Sequence, residues 1–176
     1  MKYFIISVMV LLTVDVCYGQ NIFTDSHNPP IFSITLPNDY KLAYSQNTGH
    51  GSGENESVGK QSMYTSSRRR GSVHFLSETY IQKNSPNFTK FYDIQLACEQ
   101  RYDNLKKQYG IASLPEFKGN SCEITSGTAG SRMWWRVMVS KDKKSIMKIA
   151  VEESGGLSYK EIKSILAGIA EIGLSQ

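Results

Sequence analysis

The stretch that decides the fold is residues 132–151, RMWWRVMVSKDKKSIMKIAV, which has the pattern of two strands joined by a turn at residues 141–144. Successive side chains of a strand point to opposite faces, so Met133 and Trp135 share one face while Trp134 and Arg136 share the other. Because both faces carry large apolar groups, the first strand is predicted to be central in its sheet or half covered by loops. We expect the rest of the chain to supply further strands and a second helix around this piece.

A helix with explicit start chemistry follows the hairpin. Ser158 and Glu161 have the spacing of a capping box, and Leu157 and Ile162 can form the hydrophobic staple. Apolar residues then recur at helical spacing, at positions 162, 165, 166, 169 and 172, before a glycine at position 173. The pattern predicts a helix over residues 158–172.

A second helix is predicted over residues 88–109. Ser85 is a candidate N-cap, and Pro86 would occupy the first helical position. Gly110 supplies the stop, and the apolar stripe before it comprises Phe91, Ile94, Cys98, Tyr102, Leu105 and Tyr109. Since Cys98 lies on this stripe, it is expected to face the core, which favours a bond to a strand residue such as Cys122.

Period-two alternation indicates the remaining strands. Residues 31–36 and 40–45 alternate around a Pro-Asn-Asp turn at residues 37–39 and predict a hairpin. Strands are also predicted at residues 72–81 and, as a shorter strand around Cys122 and Ile124, within residues 116–126, with a weak one at 60–67. The glycine-rich residues 46–59 predict a flexible loop. These elements make an α+β fold in which an antiparallel sheet of about six strands is packed by two main helices.

The N-terminal segment predicts export. Residues 1–19 have the features of a signal peptide, with Lys2 before an apolar run at residues 4–14 that is too short to span a bilayer. Cleavage after Gly19 would leave an arm at residues 20–30 and one domain at residues 31–176. No later segment is apolar for long enough to cross a membrane, so we expect an exported protein, periplasmic or extracellular, without stable membrane insertion. Asn55 and Asn87 match the glycosylation acceptor pattern, which matters only if the source is eukaryotic.

Cysteine usage and charge agree with this compartment. Cys98 and Cys122 remain after cleavage, an even pair in a chain bound for an oxidising space. A disulfide between them is expected, and two buried free thiols are the alternative. The formal net charge of +4 is a mild excess, which favours acidic partners only weakly and does not indicate nucleic acid.

Three segments carry a resemblance to a known family. They are Phe32-Ser-Ile-Thr-Leu-Pro37 with its following hairpin, the helix at residues 88–109 and the closing helix at residues 158–172. Their order resembles the PsbP-like superfamily of α/β/α sandwiches and covers nearly all of the mature chain. The resemblance implies a binding or assembly factor and not an enzyme. The glycine-rich insertion at residues 46–59 and the cysteine pair depart from the pattern and leave the subfamily open.

The sequence carries no catalytic, cofactor or metal motif. His27, His50 and His74 have no ligand at the spacing that a metal site needs. Cys98 and His74 could be drawn as a thiol–imidazole pair, but a cysteine on a core stripe is badly placed to act as a nucleophile. We therefore predict that the protein is not an enzyme and needs no cofactor.

Two features are candidates for partner contacts. Arg68, Arg69 and Arg70 form a basic turn that can hold an acidic protein, a phosphate headgroup or an anionic polysaccharide, although a solvated turn between strands is the simpler interpretation. Trp134 is expected in the core. If it is exposed beside Arg136, the two would form a protein-contact hot spot.

These observations together predict an exported, non-enzymatic protein that acts by binding another macromolecule. The expected partner is a protein, and an acidic one would suit the charge, as for a periplasmic immunity protein or an envelope assembly factor. The alternative is a carrier of a small apolar ligand between the sheet and the helix at residues 88–109. A hydrolase would need a cleft with a perturbed acid or base, for which the sequence provides no motif.

Overall fold

The computed structural model describes residues 20–25, 30–50, 57–68, 71–80, 92–153 and 157–172. These residues form ten strands and two helices. The strands are β1 (Gln20–Thr24), β2 (Phe32–Pro37), β3 (Tyr40–His50), β4 (Ser57–Ser66), β5 (Ser72–Tyr80), β6 (Glu116–Lys118), β7 (Ser121–Ser126), β8 (Met133–Val139), β9 (Ser145–Glu152) and β10 (Ile169–Glu171). The helices are α1 (Ile94–Tyr109) and α2 (Tyr159–Ala167).

Seven strands form one antiparallel sheet in the order β3-β4-β5-β9-β8-β7-β6. The predicted hairpin is present as β8 and β9, which pair from Met133 opposite Glu152 to Val139 opposite Ile146. Because β8 also pairs with β7, the strand lies inside the sheet, and the prediction that it is central is confirmed. Its apolar residues on both sides are explained by this position, since both faces of the strand are packed.

The two faces of this sheet carry separate cores. One face packs against α2 and the three-stranded sheet β1-β2-β10, and its buried residues include Phe32, Leu36, Phe75, Met147, Ile149, Ile162 and Leu166. The opposite face packs against α1, and its buried residues are Cys98, Leu105, Cys122, Ile124, Val137, Val139 and Ile146. The α+β class and the two packing helices are therefore confirmed, whereas the expected sheet of six strands is wrong in number.

Helix α1 begins later than the sequence predicts. Asp93 is its N-cap and accepts a hydrogen bond from the backbone N–H of Leu96 at 2.8 Å, which satisfies a donor that the first turn leaves free. The predicted cap at Ser85 lies outside the described residues. Gly110 ends the helix with φ 74°, a left-handed conformation that favours glycine, as predicted.

The predicted cysteine pair forms a disulfide. The Sγ atoms of Cys98 and Cys122 lie 2.02 Å apart, and both residues are fully buried. The bond fastens α1 to β7 in the centre of the second core. Such a bond fits an oxidising, exported compartment.

Helix α2 starts as predicted but ends earlier. Ser158 accepts a hydrogen bond from the Glu161 N–H, and the Glu161 side chain accepts one from the Ser158 N–H, so the capping box is complete. The prediction of a helix to residue 172 is wrong, because Ile169–Glu171 forms β10 on β2. At Gly168 the chain approaches β2 so closely that a Cβ would lie 2.7 Å from the Thr35 carbonyl oxygen.

The predicted hairpin between residues 31–36 and 40–45 is wrong. Both strands exist, but β2 pairs with β1 and β10, whereas β3 pairs with β4. The turn at Asn38 and Asp39 carries the chain from one sheet to the other, and Tyr40 is fully buried just beyond it. Alternation predicts a strand but does not say which neighbour it pairs with.

Two segments that we expected to be irregular contain strands. Residues 20–24 of the predicted arm form β1, which pairs with β2 along its length. The predicted loop at residues 46–59 is wrong at both ends, because β3 runs to His50 and β4 begins at Ser57. These strand ends are rich in polar residues, so hydrophobic alternation could not reveal them; residues 51–56 lie outside the described residues.

Candidate functional site

A cleft opens beside α1 on the face of the sheet that carries the second core. Helix α1 packs mainly on β7 and β8, so one side of the helix faces the free surfaces of β9, β5 and β4. The cleft here has a volume of about 380 Å³ and is lined by residues that include Gln61, Leu76, Arg101, Gln108, Trp135 and Lys148. We call it the α1 cleft. Its volume is at the lower end of the range for small-molecule sites, about 300 to 1,000 Å³.

Strand register and helix spacing explain why these side chains meet. Leu76 on β5 lies opposite Lys148 on β9 and opposite Gln61 on β4, so all three share one face of the sheet. Arg101 and Gln108 are two turns apart on α1 and lie on one side of the helix. The helix therefore brings a cation over a sheet surface that already contains one.

Arg101 is stacked on an aromatic ring of the cleft. Its guanidinium carbon lies 3.5 Å from the ring centroid of Trp135, a close cation–π contact. Burial lowers the pKa of Arg101, and the nearby Tyr109 acts in the opposite direction. The Nε atom of Arg101 and the Nε1 atom of Trp135 are both buried, and neither has a hydrogen-bond acceptor among the described residues.

Lys148 is the second cation of the α1 cleft. It is partly buried on β9, and burial lowers its pKa; the charge of Glu78 opposes this shift and the charge of Arg101 adds to it. Within the described part of the chain, neither Lys148 nor Arg101 lies at ion-pair distance from a carboxylate. Two desolvated cations therefore lie close enough to repel each other, and the cleft has an excess of positive charge.

A serine, a histidine and a carboxylate meet at one end of the cleft. The Ser72 hydroxyl donates to Glu152 Oε2 at 3.0 Å and lies 2.9 Å from His74 Nε2. Since the single hydroxyl proton points to Glu152, the His74 Nε2–H must donate to the hydroxyl. A general base would have to accept that proton, so the three residues do not form a nucleophile–base arrangement. Burial lowers the pKa of His74, and the charge of Glu152 acts in the opposite direction.

The residues singled out from the sequence lie elsewhere. Arg68 is exposed after β4, while Arg69 and Arg70 lie outside the described residues. Trp134 is half-buried against the first core and makes an edge-to-face contact with Tyr159, with ring centroids 5.3 Å apart. The expectation that Trp134 is core therefore fits its position.

Arg136 is engaged within the chain. Its Nη1 donates to the carbonyl oxygen of Leu166 at 2.8 Å, in the last turn of α2, and its Nη2 donates to Ser121 Oγ at 3.4 Å. Alternation places Trp134 and Arg136 on the α2 face of β8, opposite the face of the α1 cleft. The structure thus separates these two contact candidates from the cleft.

Sequence reasoning missed the two cations of the cleft. A signal was present for each: Lys148 is the only charge inside the otherwise apolar run SIMKIAV, and Arg101 follows the core position Cys98 by three residues on the same helix. A charged residue at such a position is either satisfied or functional. Their proximity could not be deduced, because it depends on how α1 is placed on the sheet.

The chain matches no family model, no curated protein and no solved structure. Among the described residues, no group of three His, Cys, Asp or Glu side chains is arranged to hold a metal ion. Neither of the described helices is long and apolar enough to cross a membrane.

Proposed function

We propose that this protein is an exported, non-enzymatic binding protein that holds an acidic group of a protein partner in the α1 cleft. The observation that carries the proposal is the pair of partly buried cations, Arg101 and Lys148, without an ion pair among the described residues. Removing a cation from water without a partner destabilises a fold, so an anion that binds between the two would offset that cost.

The geometry of the donors supports a carboxylate. Arg101 is held in place by its stacking on Trp135, and the two side chains leave buried Nε–H and Nε1–H donors without acceptors among the described residues. Charged hydrogen bonds of this kind are about twice as strong as neutral ones. A glutamate or aspartate side chain of a protein partner would contact the parts of Arg101 and Lys148 that line the cleft.

The disulfide supports the exported part of the proposal. A bond between two fully buried cysteines fits an oxidising compartment. The predicted signal peptide at residues 1–19 lies outside the described residues, and its removal is tested by N-terminal sequencing of the protein recovered from its host. A mature protein that begins at Gln20 is the expected result, and a reduced, uncleaved cytosolic form contradicts export.

The test of the cleft uses matched charge removals. Lys148→Met removes a cation that lines the cleft. Lys107→Met removes the same charge from an exposed position that does not line the cleft. We expect a glutamate-rich hexapeptide to lose about tenfold or more in affinity with Lys148→Met and to bind Lys107→Met unchanged, as measured by calorimetry. Equal losses in both variants would show a general charge effect and contradict the proposal.

Lys148→Met also has an expected effect on stability. Replacing a partly buried cation that has no ion pair among the described residues with an apolar side chain of similar length is expected to raise the free energy of unfolding by about 1 kcal/mol. A variant that is more stable but binds less identifies Lys148 as a binding residue that weakens the fold. A variant that is less stable would show that Lys148 has a structural partner.

The alternative is a carrier of a small ligand, and one observation favours it. The α1 cleft lies between the sheet and α1 and combines the apolar side chains of Leu76 and Met133 with the two cations. A fatty acid of about ten carbons would fit this chemistry and a volume of this class. Trp135 lines the cleft, so quenching of tryptophan fluorescence by decanoate, with displacement by the glutamate-rich peptide, would favour the carrier.

We also propose a distant relationship to the PsbP-like superfamily. The support is the layering of α1 on one face of the seven-stranded sheet and α2 on the other. An experimental structure superposed on a member of that superfamily tests this relationship. Helices that fall on different strands, or strands connected in a different order, would reject it.

A further inference from the structure

A second cavity lies beside α2, where β7 and β6 end the strand order of the large sheet. We call it the α2 pocket. Trp134 lines this pocket and Trp135 lines the α1 cleft, so the two sites lie on opposite faces of the sheet. The α2 pocket has a volume of about 220 Å³. This is below the range of sites for drug-sized ligands, about 300 to 1,000 Å³, and suits one small ring.

Strand register and helix spacing place the walls of the α2 pocket. Glu123 on β7 lies opposite Glu116 on β6, so the two carboxylates share one face of the sheet. Tyr159 and Lys163 are four residues apart and lie on one side of α2. Both contact the ring of Trp134 on β8, so the helix closes the pocket over the strand ends.

Two aromatic rings form one wall of the α2 pocket. The rings of Trp134 and Tyr159 meet edge to face, with centroids 5.3 Å apart. Trp134 is half-buried against the first core, whereas Tyr159 is 62% exposed. The exposed face of Tyr159, fixed by its contact with Trp134, is a flat apolar surface that the ring of a ligand can cover.

Hydrogen-bonding groups form the other wall. Lys163 Nζ donates to Glu123 Oε2 at 2.6 Å, and Lys118 Nζ lies 3.2 Å from the same oxygen. Burial tends to raise the pKa of Glu123, but the hydrogen bonds from the two lysines outweigh burial and hold the pKa below its ordinary value. An ammonium group has three donors, and Lys163 uses one of them among the described residues. The wall therefore keeps fixed donors beside carboxylate acceptors.

The charges at the α2 pocket cancel. Among the described residues, those that line the pocket or take part in its ion pairs and cation–π contacts are Glu116, Glu123, Glu153, Lys118, Lys163 and Arg132. Three are negative and three are positive, so the site favours neither an anion nor a cation. A neutral ligand whose groups both donate and accept hydrogen bonds is complementary to it.

We propose that the α2 pocket binds a neutral carbohydrate. One pyranose ring stacks on Tyr159, and its hydroxyls bond to Lys163 and Glu116 on the opposite wall. A ring with equatorial hydroxyls, as in β-linked glucose, presents flat C–H faces to an aromatic ring and a polar rim to donors and acceptors. The inference does not rest on the proposed function, since the α1 cleft lies on the other face of the sheet and takes an anion.

The experiment uses cellotriose as the probe and the full chain labelled with ¹⁵N. The protein has two tryptophans, and each indole N–H signal reports on one of the two sites. Cellotriose should shift the Trp134 signal to saturation, with a dissociation constant on the order of 1 mM, and leave the Trp135 signal in place. If the Trp134 signal does not move up to the solubility limit of cellotriose, the proposal is wrong.

Matched variants of α2 test the stacking. Tyr159→Ala removes the ring and should weaken the binding of cellotriose about fivefold or more, whereas Tyr159→Phe keeps the ring and should bind within about twofold of the wild type. Lys160→Ala changes the next residue, which is exposed and does not line the pocket, and should bind unchanged. Urea unfolding checks that the variants are folded. Equal affinity of Tyr159→Ala and the wild type, or equal losses in the alanine and phenylalanine variants, would overturn the stacking.

Other probes separate a carbohydrate from other occupants. Tetramethylammonium tests a cation site, because Trp134 and Tyr159 already flank the ammonium group of Lys163. Glycerol tests hydroxyl groups without a ring. Both should shift the Trp134 signal less than cellotriose at equal concentration, and an equal or larger shift with either would overturn the proposal.

A last pair of measurements separates this site from the α1 cleft. The glutamate-rich hexapeptide should shift the Trp135 signal and not the Trp134 signal. Lys148→Met should bind cellotriose as the wild type does, because Lys148 lines only the α1 cleft of the two sites. Either site can therefore fail its test while the other passes, and a loss of cellotriose binding in Lys148→Met would contradict a separate site.

Discussion

Breaking the disulfide between Cys98 and Cys122 should lower the free energy of unfolding by about 3.4 kcal/mol. Cys98 and Cys122 are 24 residues apart, and for a loop of this length the chain-entropy relation gives a stabilisation of about 3.4 kcal/mol at 25 °C. The bond acts mainly by restricting the unfolded chain. The double variant Cys98→Ala with Cys122→Ala should therefore unfold more easily by this amount, and α1 should be held less firmly against β7.

Urea unfolding followed by tryptophan fluorescence measures the effect. With a slope of about 2 kcal/mol per molar urea, the midpoint should fall by about 1.7 M. The reduced wild-type protein is the matched control, because it keeps both sulfur atoms and loses only the cross-link. A large loss in the double variant with no loss on reduction would show a cavity effect and refute the entropy argument.

Three other perturbations test the local reasoning. Ser158→Ala removes the hydroxyl of the capping box and should lower the free energy of unfolding by about 1 kcal/mol. Ser164→Ala, on the exposed side of α2, is the neutral control. Urea unfolding measures both variants, and equal losses of stability would reject the role of the cap. Gly59→Ala should lower the free energy of unfolding by about 1 to 3 kcal/mol, because a Cβ would clash with the Ser77 carbonyl oxygen and lie 2.8 Å from Glu78 Cγ. An unchanged midpoint of urea unfolding would contradict the close approach of β4 to β5. Burial lowers the pKa of His74 below its ordinary value of 6.5, so between the folded pKa and 6.5 the unfolded chain binds more protons than the folded one. The stability of the wild type relative to His74→Gln should therefore fall as the pH drops below 6.5 and level off below the folded pKa. A relative stability that rises on acidification would contradict the direction of the shift.

Elements whose signals are local could be predicted well. The hairpin of β8 and β9, the capping box at Ser158 and the helix end at Gly110 were all visible, because each depends on residues within a few positions of one another. The cysteine pair was also predictable, since a stripe position and an oxidising compartment favour a bond. These predictions are confirmed.

Elements with polar edges were missed for a physical reason. Strand β1 carries mostly exposed side chains, and the far ends of β3 and β4 are rich in polar residues, so none of the three shows an alternation of apolar residues. Their stability comes from backbone pairing with a neighbouring strand that is already placed. The helix predicted to residue 172 ended early for the same reason, because the last residues pair with β2 instead.

The sequence by itself determined the α+β class and the two-faced central hairpin, because composition and short-range periodicity carry that information. Tertiary structure decided which strands pair and that β2 and β3 belong to different sheets. It also decided that Arg101 of α1 lies beside Lys148 of β9. That proximity depends on contacts between residues distant in the chain, and such contacts are selected by the burial of the whole core and not by any local pattern.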